Sequence, residues 1–160
     1  MIEGTYKQKV DWKKYESPGA HDLFWSRAGQ MPNYKTCGTG ALSLLTGIKM
    51  QTVERQLPKS AEDWSDLAIT QFLKKRHFGV IQLSKFGVTN LNPKSEWTNM
   101  PINSNHVLLC GLWMCRGEGS WWVIHNNFSY HNFQIEALNP LLLYNKPSMN
   151  TYLITHKSWK

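Results

Sequence analysis

Three residues of this sequence, Cys37, His106 and Asn126, are of the types that together can attack a carbonyl group. Cys37 opens the stretch Cys37-Gly-Thr-Gly-Ala-Leu-Ser-Leu-Leu-Thr-Gly47, which reads as the first turn of a buried helix. A helix N-terminus presents unpaired N–H groups and the positive end of the macrodipole, and both favour thiolate over thiol. His106 heads His-Val-Leu-Leu-Cys-Gly-Leu-Trp and supplies an imidazole that titrates near neutral pH. Asn126 ends Trp-Trp-Val-Ile-His-Asn, where its amide can orient that ring. A nucleophile, a base and an orienting group make an activated set.

The set requires one particular hairpin. A turn centred on Arg116 places His106 directly opposite Asn126 on one face of a two-stranded ladder. A turn centred on Glu118 would instead oppose His106 to Tyr130 and carry Asn126 four residues away, out of hydrogen-bond reach at about 3.3 Å per residue.

The elements that must position these side chains follow from hydrophobic spacing. Residues 1–36 have weak periodicity and turn signals at Ser17-Pro18-Gly19 and Met31-Pro32-Asn33, which predicts an irregular lead-in anchored by Trp12, Tyr15, Phe24 and Trp25. From Cys37, the apolar positions Ala41, Leu44, Leu45 and Ile48 recur at helical spacing, with Gly47 placed to end the helix. Thr52 to Leu57 reads as a short helix before Pro58. A longer helix follows Ser60-Ala-Glu-Asp63 or starts at Asp66; its stripe is Ala68, Ile69, Phe72 and Leu73, basic residues close it, and Gly79 is its stop. Strands are expected at Val80–Leu83, His106–Trp113, Trp121–Asn126, Phe133–Glu136 and Tyr152–Thr155. Helices first and an antiparallel sheet second give an α+β domain, with a cleft between the two halves as the place for a site.

Composition bounds the rest. The 160 residues fit one domain, and eight tryptophans with 41% hydrophobic residues indicate a packed core. Eighteen Lys and Arg against eleven Asp and Glu leave a net charge of +7. The excess is scattered over Lys7, Lys9, Lys13, Lys14, Lys74, Lys75, Arg76, Lys157 and Lys160, without the dense stripe of a nucleic-acid binder, so no specific nucleic acid is expected as a partner. The N-terminal stretch has no apolar signal segment and nothing is long enough to cross a bilayer, so a cytoplasmic monomer without membrane insertion is expected. Three cysteines, Cys37, Cys110 and Cys115, do not form a disulfide framework.

With these residues in order, the chain resembles a papain-like cysteine peptidase, and most closely the bacteriocin-processing group that acts on double-glycine leaders. The resemblance covers roughly residues 30–155 and rests on Cys37-Gly38 followed by Ala41-Leu42, on the Asp66-Leu-Ala helix running into His77-Phe-Gly-Val80, on Asn105-His106-Val, and on Val123-Ile-His-Asn126. It implies a papain-like fold, a helical half packed on a C-terminal sheet. It also implies an acyl-enzyme on Cys37 with His106 as general base, Asn126 orienting the ring and the Cys37 amide in the oxyanion hole. The family's side-chain oxyanion donor is a glutamine shortly before the cysteine; Gln30 matches at one residue longer than the usual spacing, and Asn33 is the alternative amide. Thr39 stands where proline is common, and Asn126 where the processing peptidases favour Asp. The implied substrate is a protein or peptide, no cofactor is expected, and the small basic format suits a viral, phage or delivered effector protein.

Two other enzyme uses of the same triad, acyl transfer and deamidation, stay open, as does a protein-binding module on a degenerate peptidase scaffold. A zinc site built from Cys110, Cys115, His125 and His131 is disfavoured, because no Cys-x-x-Cys pair exists and the two cysteines face oppositely along one strand.

Overall fold

The computed structural model describes residues 12–30, 37–57, 66–84, 105–113, 119–131, 134–137 and 149–160. Four α-helices precede or flank a sheet: α1 (Ala20–Gln30), α2 (Cys37–Thr46), α3 (Met50–Gln56) and α4 (Asp66–Lys74). The strands are β1 (Gly79–Ser84), β2 (Val107–Trp113), β3 (Gly119–His125), β4 (Phe128–His131), β5 (Gln134–Ala137) and β6 (Met149–Thr155). They form one six-stranded sheet in the order β1-β6-β2-β3-β4-β5, with every pair antiparallel. The architecture is α+β, as the pattern of elements requires. No helix among the described residues is long and apolar enough to cross a membrane.

The centre of the molecule is α2. Every residue from Cys37 to Leu45 is buried, which a helix tolerates only when apolar or small side chains surround its whole circumference. The glycines, alanine and leucines of Cys-Gly-Thr-Gly-Ala-Leu-Ser-Leu-Leu meet that need. Its C-terminal carbonyls are all the harder to satisfy in such surroundings. Gly47, at φ +79°, turns the chain in the left-handed region and returns its N–H to the Ser43 carbonyl at 2.8 Å. The Arg27 guanidinium, from α1, donates to the Leu44 and Leu45 carbonyls at 2.8 and 3.0 Å.

The lead-in is more ordered than its sequence suggests. Ala20–Gln30 is a regular helix that buries Ala20 and Phe24, one turn apart, and leaves Leu23 and Trp25 exposed. Only that narrow stripe faces the core, so apolar side chains on both sides of it blur the helical period. Phe24 lies edge-on to His125, Tyr130 and Trp159 at ring centroid distances of 5.4–5.9 Å. Backbone bonds from Ser17 N to the Asn105 carbonyl and from Gly19 N to the Trp159 carbonyl, both 2.8 Å, stitch this segment to the start of β2 and to the end of the chain.

α4 buries Ile69, Phe72 and Leu73, as its spacing predicts. It stops earlier than expected. His77 takes the left-handed conformation, with φ 67°, while Gly79 already belongs to β1.

Alternation divides the sheet into two faces. Val107, Leu109, Trp121, Val123, Tyr130, Tyr152 and Ile154 join α1, α2 and α4 in the main core. Leu108, Cys110, Ile124 and Leu153 are buried on the opposite face.

Candidate functional site

The β2–β3 ladder runs from Leu108↔Ile124 to Trp113↔Gly119, a register symmetric about position 116. This is the register that sets His106 and Asn126 on one rung when the ladder is carried two residues past Leu108 and Ile124. The chain reverses at that rung. Asn126 and Asn127 have φ values of 50° and 68° and form the two-residue turn that pairs His125 with Phe128. Positive φ at both central positions defines the mirror-image turn that matches strand twist, and asparagine enters it readily. Residues Phe128–His131 then form β4, a strand absent from the sequence-based expectation.

Around this turn lies a set of imidazoles. Asn126 donates from Nδ2 to His21 Nδ1 at 3.1 Å, which leaves the His21 proton on Nε2. His125 is fully buried, and its Nε2 donates to the Ser17 carbonyl at 3.1 Å. Its Nδ1 is buried without a partner among the described residues. Burial pushes the His125 pKa down to about 4; the carbonyls of Ser17 and Asn105 oppose that shift, and the neighbouring His21 and His106 add to it. The His21 and His125 rings lie 6.1 Å apart, and His106 is itself buried.

Cys37 lies elsewhere. Its sulfur, on the first residue of α2, accepts the Trp121 backbone N–H at 3.2 Å. Ladder pairing between β3 and β4 is recorded from His125↔Phe128 to Val123↔Tyr130, and β4 ends at His131. The sulfur therefore occupies the hydrogen-bonding direction of β3 just beyond β4. Trp121 pairs with Gly111, and its indole lies so close over that residue that a Cβ there would come within 2.8 Å of the ring. Tyr152 stacks beside it at 6.5 Å.

The distance between the two groups follows from the register. Cys37 contacts the Trp121–Gly111 rung, whereas His106 precedes Gly111 by five residues, or about 16 Å along the sheet at 3.3 Å per residue. Gln30 is separate again. It lines a cleft with Arg27, Ser43, Gly47 and Ile48 at the C-terminal end of α2, away from Cys37. The structure thus brings His106 and Asn126 to one end of the β2–β3 ladder, Cys37 to its middle, and Gln30 to neither; Asn33 lies outside the described residues.

Cys110 pairs with Thr151 on the face away from α2, and burial pushes its thiol up to about 12, against a side-chain bond from Thr151. His125 occupies the other face, so alternation parts these two candidate zinc ligands. Cys115 lies outside the described residues. Among those described, no three His, Cys, Asp or Glu side chains are grouped to hold a metal.

Sequence reasoning missed His21 and the packing role of His125. The alternation Trp121, Val123, His125 was the available signal for His125, since it puts the imidazole on the apolar, helix-facing side of β3. His21 carried no such signal, because its contact with Asn126 spans 105 positions. Compared with protein-family models, curated proteins and solved structures, the chain matches none.

Proposed function

We propose that this chain is a protein-binding module on a papain-like scaffold, without turnover at Cys37. The observation that carries the proposal is the contact of Cys37 Sγ with the Trp121 N–H, on a rung whose β2 member, Gly111, follows His106 by five residues, or about 16 Å of extended strand. A general base acts only within hydrogen-bond reach, directly or through one water, of the proton it takes. Cys37 Sγ accepts the Trp121 N–H, and Asn126 spends its amide on His21 and its backbone on a turn.

The binding surface is the outer side of α1 and its surroundings. Leu23 and Trp25 are 36% and 40% exposed, and the Trp25 ring rests edge-on against Phe128 at 5.1 Å. A tryptophan held in this way offers rigid apolar area at low entropic cost, a common anchor at interfaces. Lys13 and Lys14 before α1, and Lys157 and Lys160 at the chain end, are exposed. The Gly19–Trp159 backbone bond keeps the second pair beside the first turn of α1. The surface suits an acidic partner that presents an apolar side chain.

The cysteine-peptidase reading, together with acyl transfer and deamidation by the same residues, keeps one observation in its favour: Cys37 opens a helix and its sulfur receives a backbone N–H. Alkylation by iodoacetamide at neutral pH, mapped by mass spectrometry, separates the two readings. For the binding module, Cys37 reacts at a rate that His106→Ala leaves unchanged, and Cys110 does not react until the protein unfolds. A drop of about tenfold or more in Cys37 labelling on His106→Ala would instead establish an activated nucleophile. Binding of a Glu-rich peptide carrying one leucine is expected to weaken on Trp25→Ala.

A further inference from the structure

Arg27 is a half-buried cation whose hydrogen-bond partners among the described residues are carbonyls, with no carboxylate among them. Its Nη1 donates to Leu44 and Leu45, at the negative end of α2. A guanidinium has five N–H donors, so Nε and Nη2 retain three, and these have no acceptor among the described residues. Gly47 packs directly on this group: a Cβ at position 47 would lie 2.9 Å from Nη2. The guanidinium is therefore fixed by two carbonyls on one side and by bare backbone beside it. Burial lowers its pKa from the usual value by stripping water from the charge.

The group lines a cleft of about 360 Å³ together with Gln30, Ser43, Ile48, Lys49 and Gln51. Ser43 spends its hydroxyl on the Ile48 carbonyl at 2.6 Å. The remaining polar lining is a second cation, Lys49, and two side-chain amides. Lys49 is exposed and its side chain makes no cap bond to α3. A guanidinium fork, an ammonium and two amides form a donor-rich set that matches a planar or tetrahedral oxyanion. The volume lies within the range of small-molecule sites and exceeds what a bare inorganic ion fills.

We propose that this cleft binds a small organic oxyanion, with its carboxylate or phosphate head held by Arg27 and Lys49 and its body lying along Ile48 and Met50. The site stands at the opposite end of α2 from Cys37 and does not depend on any reaction there. Both head groups share the chemistry that Arg27 recognises, and two probes tell them apart.

Titration of the whole chain with sodium phosphate and, separately, with sodium succinate, each against sodium chloride at equal ionic strength, tests the proposal by amide shifts of Gly47, Ile48 and Lys49. Saturable shifts are expected with a dissociation constant on the order of 1 mM for the better probe, which identifies the head group. Lys49→Gln, at an exposed position, is expected to weaken binding about threefold without changing the melting temperature, and Arg27→Lys by about tenfold, because an ammonium cannot supply the paired donors. Shifts that fail to saturate with either probe up to about 50 mM, or saturable binding that both variants leave unchanged, would overturn the assignment.

Discussion

The two ends of β3 show what burial does to groups that look catalytic in sequence. At its C-terminal end, an imidazole is buried among other imidazoles, carbonyls and a tight asparagine turn. At its N-terminal end, a thiol is buried against an indole and a backbone amide. At the histidine end, the Nδ1 atom of His125 is buried without a partner among the described residues; at the cysteine end, the thiol takes up the Trp121 backbone N–H. The histidine end is electrostatically sensitive, because protonation there places charge in an apolar setting; the cysteine end is sterically sensitive, because Trp121 fills the space over Gly111.

The largest effect expected from this contrast is acid destabilisation through His125. Its folded pKa of about 4 lies below the ordinary value of 6.5, so the folded state resists the proton that the unfolded chain accepts. Stability is fully present above pH 6.5 and is lost as pH falls toward 4, by about 3 kcal/mol in all. Burial lowers the His131 pKa as well, in the same sense, with Glu136 opposing it. Urea unfolding from pH 7.5 to 4 measures the loss. His125→Gln, which keeps a donor near Ser17, should flatten that profile; an unchanged acid limb would remove the electrostatic distinction between the ends.

The next effect is steric and belongs to the cysteine end. Gly111→Ala forces a methyl against the Trp121 ring and should cost about 2 kcal/mol at any pH. Chemical denaturation at pH 7.5 and 5 checks both the size and the pH independence. The smallest effect concerns the turn. Asn126→Ala places a Cβ residue without a local hydrogen bond at φ 50° and should cost about 1 kcal/mol, whereas Asn126→Gly should recover most of the backbone part. Equal losses for the two variants would show that the His21 contact, rather than the backbone, holds Asn126.

Much of this fold was legible because it depends on near-neighbour patterns. The start of α2 at Cys37, the stripe of α4 and the strands β1, β2, β3, β5 and β6 follow from spacing of apolar residues, which leaves the hairpin open between centres at Arg116 and Glu118. Shifts of one to three residues at their ends reflect caps and turns rather than pattern. α1 was hidden by a stripe only two buried residues wide, and β4 by an Asn-Asn turn whose first residue had a more attractive chemical reading. The candidate site was legible in part. Numbering gave two registers, one of which opposes His106 to Asn126, and the β2–β3 ladder follows that one. The polarity of α2 relative to the sheet was not legible, since no local pattern states which end of a wholly apolar helix lies over which end of a strand.

Cys37 closes a rung of β3 with sulfur. A backbone N–H buried away from water without an acceptor costs free energy comparable to a lost hydrogen bond. The Trp121 amide, on a residue only 1% exposed, is engaged by the Cys37 sulfur. The residue with the strongest claim to chemistry is thereby given a quieter task, that of satisfying a buried strand amide.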